Sequence, residues 1–334
     1  METSSELQAV SSKERIKLVL KFLVVGLVFW FLFKKGLVTA ESFHRLASSP
    51  ITVACVLLLL VCNTVLGTLR WRGLLSAKGA QLSIKRVFEL NMIGNFFNIA
   101  LPGAVSGDFV KAVFVAKQFP EKRPAVFGSM LFDRFLGISA MIFVGAFSAL
   151  MSQFINWGGS LPSVLLLSIG GLGSLIVLVM VYMFLSHQKD PLFAMIQFIT
   201  KRHTRLQLID KLYMGVMDYR ARPRAVMLAI AQSILIHILL VLLAFLISSA
   251  VSSIPIPLMA LAVIVPIGML ATAIPVLPAG VGTGHAAFFA LFKLVGSDQG
   301  AEIFSLIVLT QIIVGSIGGI IYLRSTARDV LKAV

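Results

Sequence analysis

Two long apolar segments of this chain are each broken in the middle by proline and glycine, and these breaks constrain the fold most. Leu101-Pro102-Gly103 interrupts residues 84–118, and Leu277-Pro278-Ala279-Gly280 interrupts residues 258–296. Proline removes a helical N–H and clashes with the preceding turn, and glycine weakens a helix interior, so neither segment can run as one helix. Each half is near or below the ~20 residues needed to cross about 30 Å of hydrocarbon. Non-helical backbone at membrane depth is tolerated only where it is buried in protein or lines a cavity. Both segments therefore read as re-entrant helical hairpins.

Uninterrupted apolar runs of spanning length occur at about 16–33, 51–69, 125–150, 161–185, 224–250 and 302–323. The expected fold is an all-α polytopic membrane protein: six spanning helices plus two re-entrant hairpins, in a single transmembrane domain over residues 1–334. Composition agrees, since 58% of residues are hydrophobic and 13% charged, whereas soluble domains average about half and a quarter. No room is left for a separate soluble catalytic domain. The N-terminal run has basic residues before it and Lys34-Lys35 after it, with no small-residue cleavage site, so it reads as a helix and not a cleavable signal. Cys55 and Cys62 are two helical turns apart in one run, too distant for a disulfide within it.

A net charge of +15 would suggest nucleic acid in a soluble protein, but here it reports topology. With both termini cytoplasmic, 24 of the 29 Lys and Arg fall on the cytoplasmic side, as the positive-inside rule requires. That face would also attract anionic lipid head groups. The order helix, helix, hairpin, helix then occurs twice in opposite orientations, over about 16–150 and 161–323, joined by a cytoplasmic connector at 186–224. The two breaks are about 176 residues apart. Inverted repeats with paired broken helices are the pattern of secondary transporters, whose substrate site lies near the midplane where the breaks meet.

Ionisable and strongly polar groups inside a membrane are costly and point to function. Asn91, Asn95 and Asn98 share one helix face before the first break, and Asp108 and Lys111 follow it. Asp108 in the first turn of a helix also suits an N-terminal cap. Asp133 and Arg134 are adjacent, so they point in different directions and need not pair with each other. Arg134 needs another partner, either Asp108 or a ligand phosphate. Arg70 and Arg72, flanking Trp71 at the expected end of the second span, read first as a snorkelling interfacial anchor and second as a head-group contact. His285 follows the second break, where a hydrogen-bonding role competes with proton coupling. His237, Ser233 and Gln311 read as interhelical hydrogen-bonding glue, and Gly315 and Gly319 as a small-residue packing pair. The sequence carries no Walker loop, HExxH or GxSxG and no metal-ligand cluster, so no catalytic residue, metal or cofactor is expected.

These residues together resemble the transmembrane-region family of lysylphosphatidylglycerol synthase, flippase-like membrane proteins, over roughly 15–325. The resemblance rests on Asn63 with Leu69-Arg70-Trp71, on Asn91 to Asn98 leading into Leu101-Pro-Gly-Ala-Val-Ser-Gly-Asp108 and Lys111, on Asp133-Arg134, and on Pro278-Ala-Gly-Val-Gly282. The chain departs from the family pattern at His285, where a Glu is usual, and at Lys111, where an Arg is usual. The resemblance implies lipid translocation between leaflets, without the aminoacyl transfer that a soluble domain performs in multidomain relatives. The expectation is thus a flippase for an anionic phospholipid or lipid-linked head group in a bacterial inner membrane. A non-catalytic partner of a lipid-modifying or glycan-assembling enzyme and a carrier of a small polar solute are the alternatives. Anionic membrane lipids are the expected partners, nucleic acid is not, and a homodimer or an enzyme partner stays open.

Overall fold

A computed structural model describes residues 23, 26, 30, 34, 40–101, 106–155, 161–185, 190–200, 207–272 and 280–331. Most of the first expected span, the tips of both hairpins (102–105 and 273–279) and parts of the connector (186–189 and 201–206) lie outside the described residues. Among the described residues there are helices and turns and no strand. In chain order the α-helices are α1 (Ala40–Ala47), α2 (Pro50–Ala77), α3 (Ile84–Ala100), α4 (Ser106–Gln118), α5 (Arg123–Met151) and α6 (Ser163–Leu185). They continue with α7 (Pro191–Thr200), α8 (Gln207–Met217), α9 (Pro223–Val251), α10 (Leu258–Ala271), α11 (Thr283–Phe292) and α12 (Gly300–Leu331).

Five of these, α2, α5, α6, α9 and α12, are long and apolar enough to cross a membrane. Three of the five start with proline in the first turn, where its missing N–H costs nothing and its fixed φ suits a helix. The second span was expected to end near Leu69 but runs eight residues further, to Ala77. Arg70 and Trp71 are therefore inside a helix and not at its end. Trp71 is fully buried, which overturns the interfacial-anchor reading. The connector carries two short helices, α7 and α8, and its 3-10 turn Asp218–Ala221 docks onto the spans. There Tyr219 stacks on Phe132 at 4.4 Å and donates to the Leu74 carbonyl, while Lys78 pairs with Asp218. Burial lowers the Lys78 pKa by more than its partner Asp218 raises it.

α3 and α4, of 17 and 13 residues, pack as an antiparallel hairpin, as do α10 and α11, of 14 and 10 residues. At 1.5 Å per residue these helices are about 15–25 Å long, shorter than the hydrocarbon thickness. Each hairpin packs against the span that follows the other one: α3 on α12, and α10 on α5. The spans that precede the hairpins, α2 and α9, pack against each other. A 3-10 turn follows each hairpin, at Pro120–Lys122 and at Lys293–Val295. Lys293 sits in the second of these with its side chain more exposed than buried. The main apolar core gathers α3, α9, α10, α11 and α12 around Phe96, Phe288, Phe292 and Phe304. By contrast α6 has only Ile169 and Met183 buried, leaves most of its other residues exposed, and packs on α5.

Two glycines make the closest helix approaches. A methyl group at Gly107 would overlap the Gly94 carbonyl oxygen across the first hairpin. A methyl group at Gly318 would overlap the Met92 carbonyl oxygen between α12 and α3. Gly107→Ala and Gly318→Ala should each destabilise the protein by about 1–3 kcal/mol through overpacking, measured as a lower Tm in detergent. Gly170→Ala, where a methyl group meets open space, should leave Tm unchanged.

Candidate functional site

Two neighbouring residues of α5 point in different directions and staple it to two different elements. Asp133 accepts from Arg70 on α2 through Nε at 2.7 Å and Nη2 at 3.1 Å, and the Arg70 Nη1 donates to Ser233 on α9 at 2.9 Å. This bidentate pair is buried, with side chains 13% and 5% exposed. Arg134 instead reaches Asp108, at the start of α4, through Nε and Nη2. The other Asp108 oxygen is held by Lys111 at 2.8 Å. The Lys111 ammonium also donates to Asn91 at 3.0 Å and lies 4.4 Å from the centre of the Trp71 ring. Asn91 in turn donates to Thr68 on α2 at 3.1 Å. The first pair is balanced, whereas in the second cluster two cations, Lys111 and Arg134, share one carboxylate, leaving one positive charge in excess.

That excess faces a cavity. The cavity has a volume of about 350 Å³, and its wall holds Arg134, Asn63, Asn95, Asn98, His237 and Gln311 among apolar residues of five helices. Asn63, His237 and Gln311 stand near the midpoints of α2, α9 and α12, so the cavity lies near mid-depth in the bundle. Both hairpins contribute their inner ends: Asn95, Asn98 and Ile99 from the first, and Met269, Thr272 and Gly280 from the second. Its volume falls within the range of about 300–1,000 Å³ usual for small-molecule sites. The Arg134 side chain is 34% exposed, and its Nη1 makes no hydrogen bond among the described residues. The Asn95 and Gln311 amides likewise have no partner there. Asn98 is engaged, since its Oδ1 accepts from the Gly107 N–H and caps α4.

The expected site residues thus separate into groups. Asn91, Asp108, Lys111 and Arg134 form one connected cluster, and Asn95, Asn98 and Arg134 border the cavity. Arg70 and Asp133 are joined as a buried structural pair behind it. Arg72 lies apart, donating to the Leu82 carbonyl at 3.0 Å and closing the turn between α2 and α3. His285 is outside the cavity wall. Its Nδ1 accepts from the Gly282 N–H at 3.2 Å, the role Glu plays in a capping box. Its Nε2 meets the Ser305 hydroxyl at 2.8 Å, and this tie holds the second hairpin to α12. Gly282, with φ of 93°, is the residue that allows the tight entry into α11. Asn63, His237 and Gln311 enter the cavity wall although the sequence offered them only as glue or as a family feature. Each is one polar residue at the middle of an apolar span, and that was the available signal. His237 binds the Gly137 carbonyl at 2.9 Å. Among the described residues no three metal-ligating side chains gather.

Residues 18–319 match the family model described as the lysylphosphatidylglycerol synthase TM region. No curated protein and no solved structure matches the chain. The match covers most of the sequence, and the chain belongs to this family of multi-pass, lipid-associated membrane proteins.

Removing Arg70 would strand a buried carboxylate. Arg70→Ala should cost about 3–5 kcal/mol, while Arg70→Met combined with Asp133→Leu should recover most of the loss. Thermal unfolding of the purified single and double variants measures both.

Proposed function

We propose that this member of the lysylphosphatidylglycerol synthase TM-region family moves an anionic phospholipid, or a lipid-linked anionic head group, between the two leaflets. One observation carries the reading: Arg134, part of a network with one unmatched positive charge, presents a free guanidinium edge to a polar cavity at mid-depth. Arg suits phosphate because its planar fork donates two parallel hydrogen bonds. A buried net charge is costly, so an anion that completes the balance binds favourably. The head group would cross within the cavity while the acyl chains stay in lipid. Transport and not chemistry is the proposed role, and no residue is assigned to catalysis.

The same reading takes α3–α4 and α10–α11 as re-entrant hairpins of two inverted repeats, with a sixth span in the N-terminal run. The reciprocal packing supports it, since α3 on α12 mirrors α10 on α5, and α2 on α9 maps onto itself. Short helices that stop at mid-depth are tolerated where they line a cavity, and both hairpins do. Orientation follows from charge. Lys78, Arg86, Lys122 and Arg222 gather at one end of the bundle, whereas Arg45 and Lys293 stand at the other. By the positive-inside rule the first end is the cytoplasmic one in this reading, and the proposed setting is a bacterial inner membrane.

Reconstitution into liposomes with fluorescent lipids of several head groups tests the proposal. Anionic lipids should change leaflet faster than in empty vesicles. Arg134→Gln should slow them about ten- to hundredfold, as expected for loss of a charged hydrogen bond, while the variant, whose Asp108 keeps its pair with Lys111, still elutes as the folded parent does. Movement at the empty-vesicle rate for every lipid class would sink the reading.

A further inference from the structure

The cavity's hydrogen-bonding inventory narrows the class of head group, granted that the protein moves lipids as proposed above. Its wall holds one cation, Arg134, and no acidic side chain among the described residues. The two carboxylates behind it are both taken: Asp108 has its oxygens engaged by Lys111 and Arg134, and Asp133 by Arg70. The segments that join the hairpin halves, 102–105 and 273–279, contain no Asp or Glu in sequence. An ammonium entering this space would meet Arg134 with no counterion, and uncompensated burial of a charge is expensive. Nor does the wall offer an aromatic cage. Phe304 is its one aromatic carbocycle, and that ring is packed against His285 and Phe288 at 4.8 and 4.9 Å.

Of the four amides in the wall, Asn63 donates to the Ile236 carbonyl and Asn98 accepts from the Gly107 N–H, which leaves two without a partner. Asn95 on α3 and Gln311 on α12 belong to helices packed against each other, and neither side chain has a hydrogen-bond partner among the described residues. A primary amide both donates and accepts, and so does a hydroxyl, whereas an ammonium only donates. We propose that the cavity selects a polyol phosphate, one phosphate bearing uncharged hydroxyls, over head groups that carry an ammonium, with Gln311 and Asn95 reading the hydroxyls beside the Arg134-bound phosphate. Gln311 is a specificity-determining residue in this account. The same chemistry occurs in a lipid head group such as phosphatidylglycerol and in free glycerol 3-phosphate.

Proteoliposomes holding the full chain and fluorescent phosphatidylglycerol, phosphatidylethanolamine or phosphatidylcholine separate these cases, with uptake of radiolabelled glycerol 3-phosphate as a further arm. Phosphatidylglycerol should cross about tenfold or more faster than either ammonium lipid. Gln311→Met should reduce that ratio about three- to tenfold, the worth of one hydrogen bond. Gln311→Glu, which supplies the missing carboxylate, should turn the preference toward phosphatidylethanolamine. If an ammonium lipid crosses as fast as phosphatidylglycerol, or if Gln311→Glu leaves the ratio unchanged, the selectivity is overturned while lipid transport stands. Accumulation of glycerol 3-phosphate with no lipid movement would uphold the polyol phosphate class and overturn the lipid as its source. If nothing moves, both readings fall together.

Discussion

Asp108 is the point on which the arrangement turns. A lone carboxylate in the interior of a membrane protein is strongly disfavoured, and this one is kept by two cations from different elements. Lys111 lies one turn further along the same helix, so it secures Asp108 locally. Arg134 comes from α5, so it ties the first hairpin to a full span. Asp108 also stands in the first turn of α4, where exposed backbone N–H groups favour a negative charge. Removing the carboxylate would release two cations at once, next to a ring and an amide placed to receive only one of them.

The reciprocal packing of the hairpins explains why a cavity exists at all. If each hairpin folded back on its own half, the two inner ends would lie in separate cores. Because α3 packs on α12 and α10 on α5, both ends meet the middle of the bundle. Glycine makes this exchange possible, since Gly318 brings the α12 backbone against α3 and Gly107 brings α4 against α3. Between helices in lipid, where apolar side chains gain little by association, such close approach is a main source of stability. The hairpin ends are then set by hydrogen bonds: Asn98 to the Gly107 N–H on one side, and His285 to the Gly282 N–H on the other.

Much of this was legible in the sequence, because length and hydropathy dictate helices in a membrane and proline with glycine dictates where they break. The stripe of Asn91, Asn95 and Asn98 followed from helical spacing, and the cost of leaving Arg134 alone named Asp108 as one of two partners for it, the one the structure pairs it with. The errors came from quantities that hydropathy does not carry. Arg70 and Arg72 look like the polar boundary of a span, yet α2 continues past them, and Asp133 with Ser233 makes Arg70 admissible inside. Only the position of a partner 63 residues away in sequence reveals that. For His285 the residue type left a hydrogen-bonding role and proton coupling both open, and the structure shows its hydrogen bonds to the Gly282 N–H and to Ser305. Its backbone partner is set by the turn at Gly282, which no side-chain pattern announces.

The adjacency of Asp133 and Arg134 explains why the two ion pairs differ in their surroundings. One residue step turns a helix by about 100°, so consecutive charges must serve different neighbours. Asp133 meets a complete guanidinium fork and leaves nothing unsatisfied, which is the signature of a structural lock. Arg134 meets a carboxylate already held by Lys111, and it retains a free edge toward the cavity. A protein that needed only stability would gain by neutralising that edge, as it did at Asp133. Keeping a charge in excess at mid-depth has an energetic cost that a bound anion would offset, and this asymmetry is the physical ground on which the proposed substrate is assigned to Arg134 and not to Arg70.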